Sequence, residues 1–276
     1  MTKFNNSIEI DRATDGAQYL VIHSGSRNLG KQVAEHYRQL AVDLHKGRAA
    51  FSRQREEIIQ TYKTEGRRKE IQTALKKLEK QYRDKEPDAP EDLCWLYGDA
   101  LADYLHDVGV CQEFARRSRE KMAQILLART GMTGLEAFHT VHNYIDVDEM
   151  ILRKGAIAAH RGERVLIPIN MRDGSVLAVG RGNPEWNYSA PHGAGRVMSR
   201  KKAFEDLSLE EYARTMAGIY TTSVNEKTLD EAPMAYKRPE DIIGAIGENA
   251  DVIDVMKPVY NFKASGDAPR RGKRKD

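Results

Sequence analysis

Across residues 46–129 apolar side chains recur at helical spacing inside a heavily charged chain, while both flanks carry short apolar runs broken by turn residues. Long helices interrupting short strands do not form a regular βαβ winding. The pattern predicts an α+β fold. At the front, Ser7-Ile8-Glu9-Ile10 alternates, Thr14-Asp15-Gly16 is turn chemistry, and Tyr19-Leu20-Val21-Ile22 is a short buried run. A helix is expected over residues 31–44. The stretch 46–85 is dense in Lys, Arg, Glu and Gln, with Ile58, Ile59 and Tyr62, then Leu75, Leu78 and Tyr82, at helical positions. Gly66 divides it into a charged helical hairpin, read as a surface excursion in preference to an RNA-gripping arm. Glu86-Pro87-Asp88-Ala89-Pro90 ends the excursion.

Residues 91–129 read as the strongest helix, with Leu93, Leu96, Leu101 and Leu105, then Phe114, Met122, Ile125 and Leu126, as an apolar core stripe. Beyond Glu136 short strands are expected over 140–145, 156–159, 165–169 and 175–179, with turns at Arg161-Gly162-Glu163 and Arg172-Asp173-Gly174. Ser189-Ala190-Pro191-His192-Gly193-Ala194-Gly195-Arg196 is expected to open another helix. A further helix over 209–218 is announced by Ser208 with Glu211 three residues on. Residues 242–245 read as helical and 252–262 as extended. No internal repeat is visible.

A chain of 276 residues can bury a sizeable core. Two cysteines, Cys94 and Cys111, are too few for a disulfide framework and read as small buried residues on helices. No run reaches the roughly 18 apolar residues of a membrane span, and the N-terminus carries no apolar signal core, so a reducing cytoplasm is the expected location. The formal charge of +3 does not by itself point to nucleic acid. The charge is concentrated at the end, where residues 270–276 hold five Lys or Arg. That tail, 265–276, reads as a solvated basic extension after a single domain over 1–264.

The eight histidines are not equivalent. His36, His45 and His106 lie on charged helices and read as surface residues; His160 reads as a turn residue. His23 closes an apolar strand and leads through Ser24-Gly25-Ser26-Arg27-Asn28-Leu29-Gly30 into a helix. A strand, a glycine loop and a helix N-terminus suit a phosphate, and Arg27 adds a forked cation. A histidine there can also offer a ring nitrogen to a metal. His139 and His142 stand three apart about a strand, so they face opposite sides and cannot easily share one ion. His142 with Asn143 is the better functional pair; Asp146 and Asp148 read as turn acids. His192 is the sharpest signal. Small neighbours leave its imidazole bare, and a neutral imidazole nitrogen is a competent nucleophile toward phosphorus. The alternative is a histidine that merely caps the following helix.

His23-Ser24-Gly25-Ser26-Arg27, His142-Asn143-Tyr144-Ile145 and Ser189-Ala190-Pro191-His192-Gly193-Ala194-Gly195-Arg196 occur in that order. With Pro168-Ile169-Asn170-Met171-Arg172-Asp173-Gly174-Ser175, the segment 231–237 containing Tyr236, and Lys257-Pro258 leading to Lys263, the chain resembles the RtcB family of RNA-splicing ligases. The resemblance implies short strands around a central cleft with peripheral long helices. It also implies an enzyme that joins a 3′-phosphate or 2′,3′-cyclic phosphate RNA end to a 5′-hydroxyl end, with GTP and manganese. His192 would take up GMP from GTP. His23 and His142 would ligate metal, two Mn²⁺ in the intact family site. Asn5, Asn143, Glu9, Ser189, Tyr236 and Lys263 would lie at the nucleotide with Gly193, Ala194 and Gly195. Arg27 and Arg196 would hold phosphate.

The chain departs from the family pattern in one region. An earlier Asp-x-x-Cys segment that supplies metal ligands has no counterpart, and Phe4-Asn5-Asn6-Ser7-Ile8-Glu9 places Asn6 where a metal-binding histidine is expected. An amide is a poorer manganese ligand than an imidazole. Three readings follow: an N-terminally truncated product, a split enzyme completed by a second chain, or a degenerate relative that binds RNA ends or nucleotide without ligating. The first is preferred.

Overall fold

Alternating burial along the first strand sets the main sheet. The computed structural model describes residues 6–133 and 136–264, so Asn5 and the basic tail lie outside the described residues. In chain order the elements are β1 (Ser7–Arg12), β2 (Gln18–His23), α1 (Arg27–His45), α2 (Arg48–Thr64), α3 (Ile71–Arg83), α4 (Gly98–Thr130), β3 (His142–Asp146), β4 (Ile151–Ala158), β5 (Arg164–Asn170), β6 (Gly174–Gly180), β7 (Ser189–Pro191), α5 (Arg200–Asp206), α6 (Leu209–Thr215), β8 (Tyr220–Thr221), α7 (Pro239–Ala245) and β9 (Ala250–Lys263). The fold is α+β, as the mixed periodicity implied. No helix among the described residues is long and apolar enough to cross a membrane.

These residues group into two compact units. The first comprises the described residues up to Gly25 and from Phe114 onward; the second is Ser26–Glu113. In the first, six strands form one sheet in the order β2-β1-β9-β6-β5, antiparallel throughout, with the short β8 parallel to β9. On β1, Ser7, Glu9 and Asp11 are buried and alternate with less buried neighbours, so three polar side chains face inward. β5 alternates the same way with apolar residues, burying Val165, Ile167 and Ile169. Together with Val176, Ala178 and Ile246 these form the main core. A second sheet, β3-β4-β7, carries Ile157 and Ala190 into the same core. The Ser208 hydroxyl accepts from the Glu211 amide, the cap that the sequence announced for α6.

In the second unit, Gly66 separates α2 and α3, which form the charged hairpin. Phe51 packs on Tyr82 with ring centroids 4.5 Å apart, and the Tyr82 hydroxyl donates to the Asp43 carbonyl on α1.

Four expectations are corrected. No helix follows His192. There the Ala194 amide donates to the Pro168 carbonyl, the Lys237 amide to the Gly195 carbonyl, and the Val197 amide to the Ala235 carbonyl, so β5 and the segment around Tyr236 take the groups that a helix would pair internally. The next helix waits for the Ser199 cap. The stripe on 91–129 is less buried than its periodicity suggests, since Leu93, Phe114 and Ile125 are exposed while Cys111 and Ala115 are buried. His45 is buried rather than on the surface. Its Nδ1 stands 2.5 Å from the Asp88 carboxylate, and its ring packs on Trp95. Cys94 follows a 3₁₀ turn and precedes α4, outside any helix.

Candidate active site

Three imidazoles converge in the first unit. His23 ends β2 and His142 opens β3, and their Nε2 atoms stand 3.1 Å apart with the rings edge-on. His192 follows β7, and its ring centroid is 4.9 Å from that of His142. β4 lies between β3 and β7 in the smaller sheet, which sets this spacing. Gly155 on β4 holds the group together. Its amide donates to the Asn143 side chain at 2.7 Å, and its carbonyl accepts from the His192 amide at 3.3 Å. A Cβ at Gly155 would lie 3.8 Å from the His192 ring, and its φ of 71° is one that glycine adopts freely. Burial, with the positive surroundings of His142, Lys263, His192 and Arg119, lowers the His23 pKa to about 4. Burial and the neighbouring His192 lower that of His142 as well. Both rings are therefore neutral near pH 7, the form that offers a lone pair.

The main sheet supplies the other wall. Across its inner face His23, Ser7 and Lys263 form one cross-strand row, and Val21, Glu9 and Asn261 the next. Lys263 Nζ meets Glu231 Oε2 at 2.5 Å, and the Tyr236 hydroxyl donates to the same oxygen at 2.6 Å. Arg196 donates from Nη1 to that hydroxyl at 3.1 Å and lies over the Tyr236 ring. Arg200 bridges Asp230 and Glu231. Burial works against the charge on Glu231, but Lys263, Tyr236 and Arg200 outweigh it and hold its pKa at about 2. Burial pushes the Glu9 carboxyl above the usual range, partly offset by Lys263, Ser7 and Asn261. A chain of contacts thus runs from the His192 loop through Arg196, Tyr236 and Glu231 to Lys263, whose charge acts on Glu9 and His23. Beside Tyr236 a cavity of ≈ 340 Å³ is lined by Arg172, Asp173, Val197, Lys237 and Arg238 among others.

The structure brings together His23, His142, His192, Glu9, Arg196, Tyr236 and Lys263. Asn143 is exposed and reaches His192 only through Gly155. The Ser189 hydroxyl is engaged elsewhere, donating to the Asn187 carbonyl and accepting from Arg153. Gly193 sits where a Cβ would come within 2.9 Å of the Pro168 carbonyl, and Ala194 and Gly195 carry the backbone contacts described above. Arg27 is the first residue of α1, in the second unit. His139 lies before β3 and stands 3.3 Å from Glu120. His160 lies between Glu149 and Glu163, which hold its pKa above the ordinary value against the effect of burial.

Several residues of the site escaped the sequence reading. Glu231 stands in the segment 231–237, where its only sequence signal is its place before Tyr236. Arg153 is 2% exposed and is held by Tyr144, Asp146, Glu149 and Ser189. Asp11, Ser175 and Asn261 are fully buried without a hydrogen-bond partner. Nothing in the local sequence separates them from solvent-facing polar residues.

The histidine pair fits a divalent ion in part. Two imidazole nitrogens sharing one ion at about 2.1 Å stand roughly 3.0–3.4 Å apart at right to tetrahedral angles. The 3.1 Å separation falls in that interval. Among the described residues, however, no group of three or more His, Cys, Asp or Glu is placed to hold an ion. Asn6 contributes a buried amide oxygen without a partner. The pair can supply two donors of a larger set.

The sequence model of the tRNA-splicing ligase RtcB family matches residues 6–264. The chain belongs to the RtcB family. It is 27% identical over 278 aligned residues to the RNA-splicing ligase RtcB of Escherichia coli strain K12, covering 94% of this chain and 59% of that protein. It is 28% identical to the tRNA-splicing ligase RtcB of Aeropyrum pernix, covering 89% of this chain and 52% of the relative. The Nanoarchaeum equitans relative of the same name is 28% identical over 88% of this chain and 50% of its own length. The chain therefore spans between half and three-fifths of the length of these RtcB relatives.

Proposed function

We propose that this chain acts as an RNA ligase, joining 3′-phosphate or 2′,3′-cyclic phosphate ends to 5′-hydroxyl ends with GTP, in tRNA splicing or RNA repair. The observation that supports it most is the convergence of His23, His142 and His192 beside the Arg196-Tyr236-Glu231-Lys263 chain. A ring nitrogen of His192 attacks the α-phosphorus of GTP, and pyrophosphate leaves with the electron pair of the broken P–O bond. An oxygen of the RNA 3′-phosphate then takes the guanylate, and the P–N bond to His192 breaks. The 5′-hydroxyl oxygen finally attacks the 3′-phosphorus, losing its proton as GMP departs.

Each step moves charge on phosphate, so the protein's main task is to neutralise and align it. Arg196, held by the Tyr236 hydroxyl and the Met198 and Asp230 carbonyls, would offer its remaining N–H groups to phosphate. Glu9 accepts from the guanine N–H edge, while Lys263 and Tyr236 complete recognition of the nucleotide. His23 and His142 would hold a manganese ion, which would supply Lewis-acid charge at the phosphates. The two rings would supply part of its donor set.

Incubation with α-labelled GTP, Mn²⁺ and a matched pair of oligonucleotides tests this. Joined RNA and an acid-labile, base-stable label on the protein are expected, and both vanish in His192→Ala. Retained GTP or RNA binding with neither product would instead favour a relative that binds RNA ends or nucleotide without ligating.

A further inference from the structure

Arg119 stands at the histidine pair without the carboxylate partner that a half-buried guanidinium usually has. It lies one helical turn after the buried Ala115 on α4, so the face that packs inward also carries the guanidinium inward. Its Nη1 donates to the Ser24 carbonyl at 3.0 Å. That carbonyl belongs to the residue directly after His23. Glu120, the carboxylate nearest to Arg119 in effect, is itself engaged with Arg116 and His139. Nε and Nη2 of Arg119 meet no acceptor among the described residues. These two donors point the same way from the planar group, and together they match two oxygens of a phosphate or carboxylate. The Ser24 hydroxyl is also buried and without a partner.

The surroundings favour an anion. The charges that act most on His23 include those of Lys263 and Arg119. Of these two cations Lys263 is already neutralised by Glu231. Arg119 is the cation left to compensate. Holding a desolvated guanidinium on one neutral carbonyl is costly, and a dianion on its open edge would offset that cost.

We propose that Arg119 is a phosphate-binding residue whose Nε and Nη2 grip a terminal phosphate dianion beside the His23–His142 pair, with the Ser24 hydroxyl as an added donor. Naming the RNA 3′-phosphate as the source of that dianion rests on the ligase reading above. The terminal phosphate of GTP is the other source with the same chemistry.

Binding measured in the presence of a chelator separates the possibilities without asking for catalysis. Short RNAs ending in a 3′-phosphate or a 3′-hydroxyl, and GTP, are titrated against the wild-type chain, Arg119→Ala, Arg119→Lys and Ser24→Ala. The wild type is expected to prefer the 3′-phosphate end. Arg119→Ala should reduce that preference about tenfold or more, near 1.4 kcal/mol. Arg119→Lys, a point charge without the fork, should restore only part of it, and Ser24→Ala should cost less. GTP affinity should change less than twofold. A loss confined to GTP would support the phosphate site with the nucleotide as its occupant. An unchanged preference, or an equal loss for both RNA ends accompanied by a lowered melting temperature, would overturn the proposal. Missing guanylate label with the Arg119-dependent preference intact would overturn the ligase reading and leave this site standing.

Discussion

At the scale of single residues, the unusual feature is how much unpaired polarity the inner face of the main sheet carries. Burial first, then the nearby Glu9, raises the Asp11 pKa to about 7, with Ser175 working in the opposite direction. An unfolded Asp releases its proton near pH 4, whereas the folded one keeps it until about pH 7. Between those values the folded chain binds more protons, so Asp11 makes stability fall as pH rises from 4 to 7. Asp11→Asn should therefore stabilise the chain at pH 8 by roughly 1–4 kcal/mol and flatten that fall. Urea unfolding at pH 5 and pH 8 checks it, and equal effects at both values would contradict the assignment. Arg153 is the opposite case, fully buried and fully paired. Arg153→Met leaves Asp146 without its cation and Glu149 with His160 alone, and should cost roughly 3–5 kcal/mol by denaturant unfolding.

Among the elements, the helices were legible in the sequence wherever a local rule decided them. Ser208 with Glu211 announced α6, and Gly66 divided the charged hairpin, because a cap and a breaker act within a few residues. Ser208→Ala should cost about 1 kcal/mol in thermal unfolding. The segment after His192 departs from a helix because its backbone is paired by the distant Pro168 and Ala235 carbonyls and the Lys237 amide, which no local pattern reveals. His45 was misplaced for the same reason, since its partners Asp88 and Trp95 lie more than forty residues away. Gly193 marks the tightest point of the His192 loop. Gly193→Ala would force its Cβ against the Pro168 carbonyl, 2.9 Å away, and displace the loop. Guanylate labelling should drop at least tenfold while the melting temperature falls by only a few degrees, since a small misplacement of a reacting group is costly.

On the scale of the whole molecule, the three histidines come from β2, β3 and the loop after β7, and they meet because two sheets share one core. The ordered motifs disclosed the family and the identity of these rings. They did not disclose Glu231, which links Tyr236 to Lys263, or the Arg119 beside His23, because both acquire meaning only from contacts between distant segments. The account rests on one ring nitrogen accepting a guanylate. The most direct measurement is peptide mapping by mass spectrometry after incubation with GTP and Mn²⁺ under basic quench, which preserves a phosphoramidate bond. The account predicts a GMP adduct on the peptide containing His192, absent from His192→Ala and unchanged in Ser208→Ala. A GMP adduct on another residue, or none on a chain that still binds GTP, would contradict it.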